Sequence, residues 1–204
     1  RSGGVRELAE RYPSVKSAAA LRKVPDDRYF SLMSRRIFRA GLSHSVVDAK
    51  WPAFEEVFEG FEPGAVRAMS DEALEALMGD ARVIRHWGKI KATRENAAAM
   101  VALVEEHGSF GGYLAGWPAA DIVGLWADLA KRFKQMGGNS APRFLRMAGK
   151  DTFVLTEDVV NALKHWRAYD GKGKGKAEIR RIQDIFNAWA EATGKPLGEI
   201  SMIL

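Results

Sequence analysis

A glycine pair flanked by basic residues is the part of this sequence best suited to contact phosphate. Residues 129–150 contain six lysines and arginines and no acidic residue. Glycine lets a backbone approach a ligand closely, and free N–H groups at a helix start favour an anion. The pattern predicts two helices joined by a hairpin with the features of a phosphate cradle, and its candidate residues are Lys134, Gly137, Gly138, Asn139, Ser140 and Arg143. The alternative is an ordinary glycine-turned helix pair with a solvated basic face.

Two further basic clusters lie beside predicted turns. One consists of Arg82, Arg85, His86, Lys89, Lys91 and Arg94, and the other of Arg35, Arg36 and Arg39. Lysine and arginine near turns supply the salt-dependent attraction that nucleic-acid binding uses. Together the three clusters favour a polyanionic partner, although charge alone does not separate DNA from RNA.

Other kinds of chemistry leave no pattern in the sequence. The four histidines form no metal-ligand pair at helical spacing, and the absence of cysteine excludes disulfides and thiolate-bound metals. Phosphate-loop, dinucleotide-binding and serine-hydrolase motifs are also missing. We therefore expect neither a metal nor a cofactor.

The elements that must position the basic residues are predicted to be helices throughout. Apolar residues recur at helical spacing, as in Ile182, Ile185 and Trp189, and no sustained alternation indicates a strand. We expect about ten short helices in one all-α domain spanning residues 1–204, with its core at about 26–168. Residues 171–176, which alternate glycine and lysine, predict a mobile loop, and a helix over 177–193 is expected to pack back on the domain.

Composition limits the class of protein. The chain has 204 residues, 47% of them hydrophobic, and its net charge is 31 − 26 = +5. This excludes wholesale disorder, and no apolar run reaches the roughly 18–20 residues of a membrane span. Because neither a signal peptide nor a membrane segment is evident, we expect a cytoplasmic location. The chain begins at Arg1 rather than at a methionine, so we expect a trimmed N-terminus.

Several motifs in order along the chain resemble the bacterial 3-methyladenine DNA glycosylase I family. Phe38-Arg39-Ala40-Gly41-Leu42-Ser43 is similar to its "QAGLSW" element. Residues 77–90 are similar to its "L..D..IIRHRGKI" stretch, and Asn96-Ala97 and Gly108-Ser109-Phe110 continue the register. The glycine pair falls where the family has its helix-hairpin-helix. The resemblance covers about residues 30–163.

The resemblance implies an all-α helix-hairpin-helix fold and an enzyme that cuts the N-glycosidic bond of alkylated purines, such as 3-methyladenine, in double-stranded DNA. Such an enzyme flips the base out of the stack before cutting it. Gly41 and Leu42 match the loop that wedges into the duplex, and Gly137 to Ser140 match the hairpin that binds the backbone. A monomer is expected.

The departures from the family pattern fall in the base pocket, to which the register assigns Arg36, Phe38 and His44. Arg36 stands where the family has a base-recognising glutamate, and His44 replaces a tryptophan. The N-terminal "YHDxEWG" element and the zinc ligands have no counterpart. A cation at position 36 would repel a positively charged base, so 3-methyladenine specificity is the least supported implication.

Other helix-hairpin-helix glycosylases place a carboxylate shortly after the hairpin, where it stabilises the sugar cation. Glu157 and Asp158 occupy that region and are the catalytic candidates; the alternative is that they only favour a helix N-terminus. Two other functions stay open: a glycosylase-like module that binds damaged or bent DNA without catalysis, and a helical interaction protein that binds no nucleic acid.

Overall fold

A computed structural model describes residues 14–204, and these residues contain helices but no strand. The all-α prediction is confirmed, with twelve α-helices in this range instead of about ten. They are α1 Ala18–Arg22, α2 Asp26–Arg39, α3 His44–Val57, α4 Pro63–Ala68, α5 Asp71–Ala76, α6 Trp87–His107, α7 Phe110–Gly116, α8 Ile122–Arg132, α9 Ser140–Ala148, α10 Glu157–His165, α11 Lys176–Thr193 and α12 Leu197–Ile203, with 3₁₀ turns at Glu59–Phe61 and Ala119–Asp121. No helix among these is long and apolar enough to cross a membrane.

Side-chain caps set several of the helix boundaries. The hydroxyl of Ser70 accepts a hydrogen bond from the N–H of Ala73 at the start of α5, and Thr156 does the same for Val159 at the start of α10. Asp26 does not cap α2, because Pro25 holds that position. The Asp26 carboxylate instead accepts the N–H of Phe110 at 2.8 Å, which ties the start of α2 to the start of α7.

Helix α2 lies at the centre of the domain and contacts α3, α4, α6, α7 and α9. The apolar residues Tyr29, Phe30, Met33, Ile37 and Phe38 recur on it at helical spacing and are buried. Burial on this scale explains why α2 forms a single uninterrupted helix, since tertiary packing stabilises a helix more than intrinsic propensity does.

Aromatic side chains fill the space between α2 and α3. The ring centroid of Phe38 lies 4.5 Å from that of Phe54, and the ring of Trp51 stacks on Phe54 at 4.9 Å and on Phe61 at 5.3 Å. Trp51 is therefore a core residue. Phe38 is fully buried in this cluster, so its assignment to a base pocket is wrong. Its position on α2 faces the core rather than the neighbouring cavity.

The C-terminal segment packs back on the domain. Residues 171–175 form no helix, and two of their N–H groups donate hydrogen bonds, from Gly173 to the hydroxyl of Tyr169 and from Lys174 to the carboxylate of Glu178. Helix α11 then contacts α8 and buries Ile182. Helix α12 was not predicted, and it contributes to the site described below. The mobility of the glycine-lysine loop stays a prediction.

Replacing Phe38 with alanine tests whether this residue serves the core. We expect Phe38→Ala to lower the free energy of unfolding by about 3–5 kcal/mol, because it leaves a cavity among packed rings. Urea denaturation measures the change. Trp166→Ala is the control, since the Trp166 side chain is 68% exposed and should cost little. Equal stabilities of the two variants would contradict the core assignment.

Candidate nucleic-acid interface and base cavity

The predicted hairpin is present between α8 and α9. It spans residues 133–139 and turns through positive φ angles of +60° at Gln135 and +56° at Gly138. Gly137 and Gly138 are exposed, and a side chain built on either would meet nothing within 4 Å. Within residues 14–204 their N–H groups have no hydrogen-bond acceptor. The turn therefore presents two free donors to solvent, an arrangement that suits a phosphate oxygen.

A buried asparagine on α6 holds this hairpin in place. The Asn96 amide oxygen accepts the N–H of Lys134 at 2.6 Å, and its amide nitrogen donates to the carbonyl of Lys134 at 3.1 Å. Asn96 is 1% exposed, so both groups would be unsatisfied without the hairpin. Sequence reasoning placed Asn96 in a motif and did not assign it this role. The available signal was the position of this polar residue at a fixed distance from the glycine pair.

Two of the residues predicted to bind the backbone are used inside the fold. The side-chain amide of Asn139 donates to the carbonyl of Leu155 at 2.8 Å, and Ser140 is only 8% exposed. Lys134 and Arg143 are exposed and lie on either side of the glycine pair. The hairpin therefore offers backbone N–H groups and two flanking cations rather than the Asn139 side chain.

Much of the clustered positive charge is neutralised by acids from elsewhere in the chain. Arg132 pairs with Glu106 at 2.8 Å and with Asp128 at 2.7 Å. Arg82 likewise lies 2.8 Å from Asp80. The stretch 129–150 is free of acids in sequence but not in space, so the charge available to a polyanion is smaller than the sequence predicted.

The predicted wedge loop is exposed and its base is fixed by a buried lysine. Gly41 has φ of +74°, and Leu42 is 39% exposed although it is apolar. The Lys89 ammonium group donates to the carbonyls of Phe38 at 3.1 Å and Ala40 at 2.6 Å, which α2 leaves open at its C-terminus. Lys89 is 5% exposed, so its assignment to a basic surface cluster is wrong. It positions the wedge loop.

A cavity of about 420 Å³ lies between α2, the start of α3, α9 and α12. It brings together Arg36 and His44, as the register predicted, and adds side chains from α9 and from the C-terminal helix α12. No carboxylate lies among the lining residues, which are Arg36, Arg39, His44, Arg143, Arg146, Met147 and Met202. Met202 comes from α12, which the sequence did not predict.

Arg36 is the one lining arginine that is almost fully buried. It is 8% exposed, and its guanidinium forms neither a hydrogen bond nor an ion pair with any described residue. Burial lowers the pKa of Arg36, and the nearby charges of Arg143 and Arg39 lower it further. An unpaired buried cation is costly, and a hydrogen-bond acceptor in the cavity would offset that cost.

The neighbouring arginines are partly satisfied. Arg39 forms an ion pair of 2.5 Å with Asp48, and the hydrogen bond from Arg39 is the main cause of the lowered pKa of Asp48. Arg146 donates to the hydroxyl of Ser201 on α12 at 2.6 Å, while its Nε atom is buried without an acceptor. The cavity therefore contains guanidinium N–H groups that no acceptor in the described part of the chain satisfies.

The two catalytic candidates do not reach this cavity. Glu157 and Asp158 are exposed in the first turn of α10, and neither lies among the cavity-lining residues. The hydrogen bond between Asn139 and Leu155 nevertheless places the start of α10 beside the hairpin. The structure places these carboxylates near the hairpin and not at the cavity.

Zinc, which the resemblance implies, does not fit the residues present. The chain has no cysteine, and within residues 14–204 no three histidine, aspartate or glutamate side chains converge. The terminal elements are held by packing and hydrogen bonds, such as those from the N–H groups of Leu197 and Gly198 to Asp151, each 2.9 Å.

Comparison with known proteins gives consistent results. The sequence model of the methyladenine glycosylase family matches residues 20–136. DNA-3-methyladenine glycosylase 1 of Escherichia coli (strain K12) is 41% identical over 70 residues, which are 34% of this chain and 37% of that protein. This chain thus aligns with little more than a third of the length of that relative.

Solved structures extend the similarity beyond the hairpin. A 3-methyladenine DNA glycosylase I is 26% identical, with a TM-score of 0.55, over 68% of this chain and 82% of its own. The Staphylococcus aureus enzyme is 24% identical, with a TM-score of 0.56, over 68% and 80%. The Methanocaldococcus jannaschii 8-oxoguanine glycosylase/lyase, solved with DNA, shares the fold at 15% identity and a TM-score of 0.51 over 89% and 80%. The predicted helix-hairpin-helix glycosylase fold is confirmed.

Removing the Asn96 amide tests its role in positioning the hairpin. We expect Asn96→Ala to lower the free energy of unfolding by about 1–3 kcal/mol, because it leaves the N–H and carbonyl of Lys134 unpaired. Hydrogen exchange at the amide of Lys134, which Asn96 protects, should accelerate. Asn161→Ala is the matched control, since Asn161 is exposed and makes no hydrogen bond through its side chain. Unchanged exchange in Asn96→Ala would show that the hairpin is held otherwise.

Proposed function

Because this chain belongs to the methyladenine glycosylase family, we propose that it is a DNA glycosylase of base excision repair, which flips a modified base out of duplex DNA and hydrolyses its N-glycosidic bond. The supporting observation is the order of elements around the cavity. His44 lines the cavity two residues after Leu42 of the wedge loop, and Arg143 lines it three residues after Ser140 of the hairpin. The same cavity is thus bordered by an element suited to open a duplex and an element suited to hold its backbone.

Each part has a defined task in this proposal. Flipping costs a few kcal/mol of lost stacking and pairing, and the exposed Leu42 side chain fills the gap left in the duplex. The N–H groups of Gly137 and Gly138 bind a phosphate and fix the register. The base enters the cavity, and its sugar stays outside with the backbone.

The position of the sugar decides where a catalytic carboxylate must lie. Since the sugar remains with the backbone, a group that stabilises its developing positive charge need not line the base cavity. Glu157 and Asp158 are exposed and lie on the element that Asn139 ties to the hairpin. We propose these two side chains for that electrostatic role, with water as the nucleophile.

A release assay tests the proposed function. The protein is incubated with methylated duplex DNA and with duplexes that each contain one modified base, and released bases and abasic sites are measured. We expect release of at least one modified base. Salt-dependent duplex binding with no release from any substrate would favour a non-catalytic DNA-binding module, which the lack of a carboxylate in the cavity also suits. No binding even at low salt would indicate a protein that acts without nucleic acid.

Neutralising the two carboxylates tests their catalytic role. We expect Glu157→Gln/Asp158→Asn to lower the single-turnover excision rate by about 100-fold or more, as the loss of one electrostatic stabiliser does elsewhere. Duplex affinity should be retained or increased, since two negative charges are removed from a DNA-facing element. Glu75→Gln, an exposed glutamate on α5, is the control. An unchanged rate would show that the two carboxylates only stabilise the N-terminus of α10.

Substituting Gly138 tests the backbone contact. We expect Gly138→Asp to weaken binding to every duplex by about tenfold or more relative to Gly138→Asn, because an anion is placed against phosphate. The two side chains have nearly the same shape and both tolerate positive φ, so the comparison isolates charge. Fluorescence anisotropy at several salt concentrations measures the affinity. Equal affinities of the two variants would show that the hairpin does not touch the DNA.

Shortening Leu42 tests the wedge. We expect Leu42→Ala to lower the rate of base opening about tenfold while changing duplex affinity less than about threefold, since about 1.4 kcal/mol of apolar contact is lost at the gap. A fluorescent adenine analogue beside the modified base reports the opening. Val15→Ala is the matched control, because Val15 is also apolar and 42% exposed. Equal loss of opening and binding would contradict a wedge role.

A further inference from the structure

We propose that the arginine-lined cavity takes an oxopurine, a base that is neutral in DNA and leaves the sugar as an anion, and not a cationic alkylpurine. The inference rests on the proposed glycosylase function and names the substrate class for it. It is carried by Arg36, a buried guanidinium that lines the cavity without any acceptor among the described residues.

The donor set of the cavity selects for acceptors. A guanidinium carries five N–H donors and no acceptor, so its best partner is an edge with oxo groups or ring nitrogens. Arginine binds the O6 and N7 atoms of a purine in this way. A second buried donor, Nε of Arg146, is also unpaired. The unpaired guanidinium of Arg36 and the unpaired Nε of Arg146 match a ligand that has several acceptors along its edges.

The charge of the cavity opposes a cationic ligand. Asp48 neutralises part of the charge of Arg39 from outside the cavity, but no acid lies among the lining residues themselves. Arg36 and Arg143 are therefore left without a counter-ion. A purine that carries a positive charge through alkylation would enter a site that already holds unpaired cations, and a like charge beside it is unfavourable.

The same cation favours departure of a neutral base. When the bond between C1′ and the ring nitrogen breaks, its electron pair stays on the base, so a base that was neutral departs as an anion. Water bonds to C1′ and loses one proton to solvent, and the anion later takes one proton from solvent. Arg36 stabilises the negative charge as it develops. An alkylated cationic base departs neutral and gains nothing from this group.

The dimensions and the walls suit a planar ring. A volume of about 420 Å³ falls within the usual range of small-molecule sites. Met147 and Met202 supply apolar surface beside the arginines, and thioethers contact aromatic rings favourably. A bare phosphate ion would leave that apolar surface unused, and for this reason we favour a ring over inorganic phosphate.

Calorimetric titration of the full chain with free bases tests the cavity independently of catalysis. The probes are xanthine, 3-methyladenine and inorganic phosphate. We expect xanthine to bind at least tenfold more tightly than either of the others, and Arg36→Gln to weaken xanthine at least tenfold. Arg67→Gln is the control, because Arg67 is exposed and lies on α4, outside the cavity lining. Tighter binding of 3-methyladenine, binding of phosphate equal to that of xanthine, or no effect of Arg36→Gln would overturn the proposal.

Stability is not expected to limit this test, since Arg36→Gln removes an unpaired buried charge and should raise the thermal midpoint. If that variant fails to fold, Arg143→Gln on the exposed rim should still weaken xanthine about threefold, and unchanged affinity would count against the proposal.

Excision from duplexes that contain one deoxyxanthosine or one alkylated purine separates the inference from the proposed function. We expect release of xanthine in preference to the alkylated base, and a reversed preference in Arg36→Glu. Release of the alkylated base alone would overturn the proposed oxopurine substrate but support the proposed glycosylase activity. Arg36-dependent binding of xanthine without release from any duplex would keep the cavity assignment and remove the catalytic function.

Discussion

Two buried polar side chains on one face of α6 set the geometry of the whole interface. Lys89 and Asn96 are seven residues apart, which is about two helical turns, so both project in the same direction. Lys89 binds the carbonyls at the end of α2, from which the wedge loop begins, and Asn96 binds the backbone of the hairpin. One helix thus holds both the wedge loop and the hairpin, so their separation is set by two turns of α6.

Within this frame, Arg36 gives the cavity its chemical character. Helix α2 buries its aromatic face against α3 and turns Arg36 toward the cavity, where α9 and α12 supply further donors and no acid. The sequence match to the family ends at residue 136, before the segments that contribute Arg143, Arg146, Met147 and Met202. Arg36, Arg39 and His44 lie within the matched range, so the cavity combines residues from inside and outside it.

The sequence predicted what depends on local signals. Helical spacing and the glycine pair led correctly to an all-α fold with a hairpin. The sequence did not predict features that depend on contacts between residues far apart along the chain. The ion pairs of Arg132 with Glu106, the burial of Lys89 and the docking of Met202 depend on tertiary packing, and no spacing rule along the chain reveals them. Phe38 is a further example. The alignment with the family motif placed it at the base pocket, but its side chain on α2 points into the core.

The most direct test of this account is a crystal structure of the protein bound to a duplex with one non-cleavable deoxyxanthosine analogue. The account predicts that the xanthine ring lies in the cavity between Met147 and Met202, with the Arg36 guanidinium within hydrogen-bond distance of its oxo groups and Leu42 in the gap it left. A base that stays stacked in the duplex, or one that enters the cavity without contacting Arg36, would contradict it.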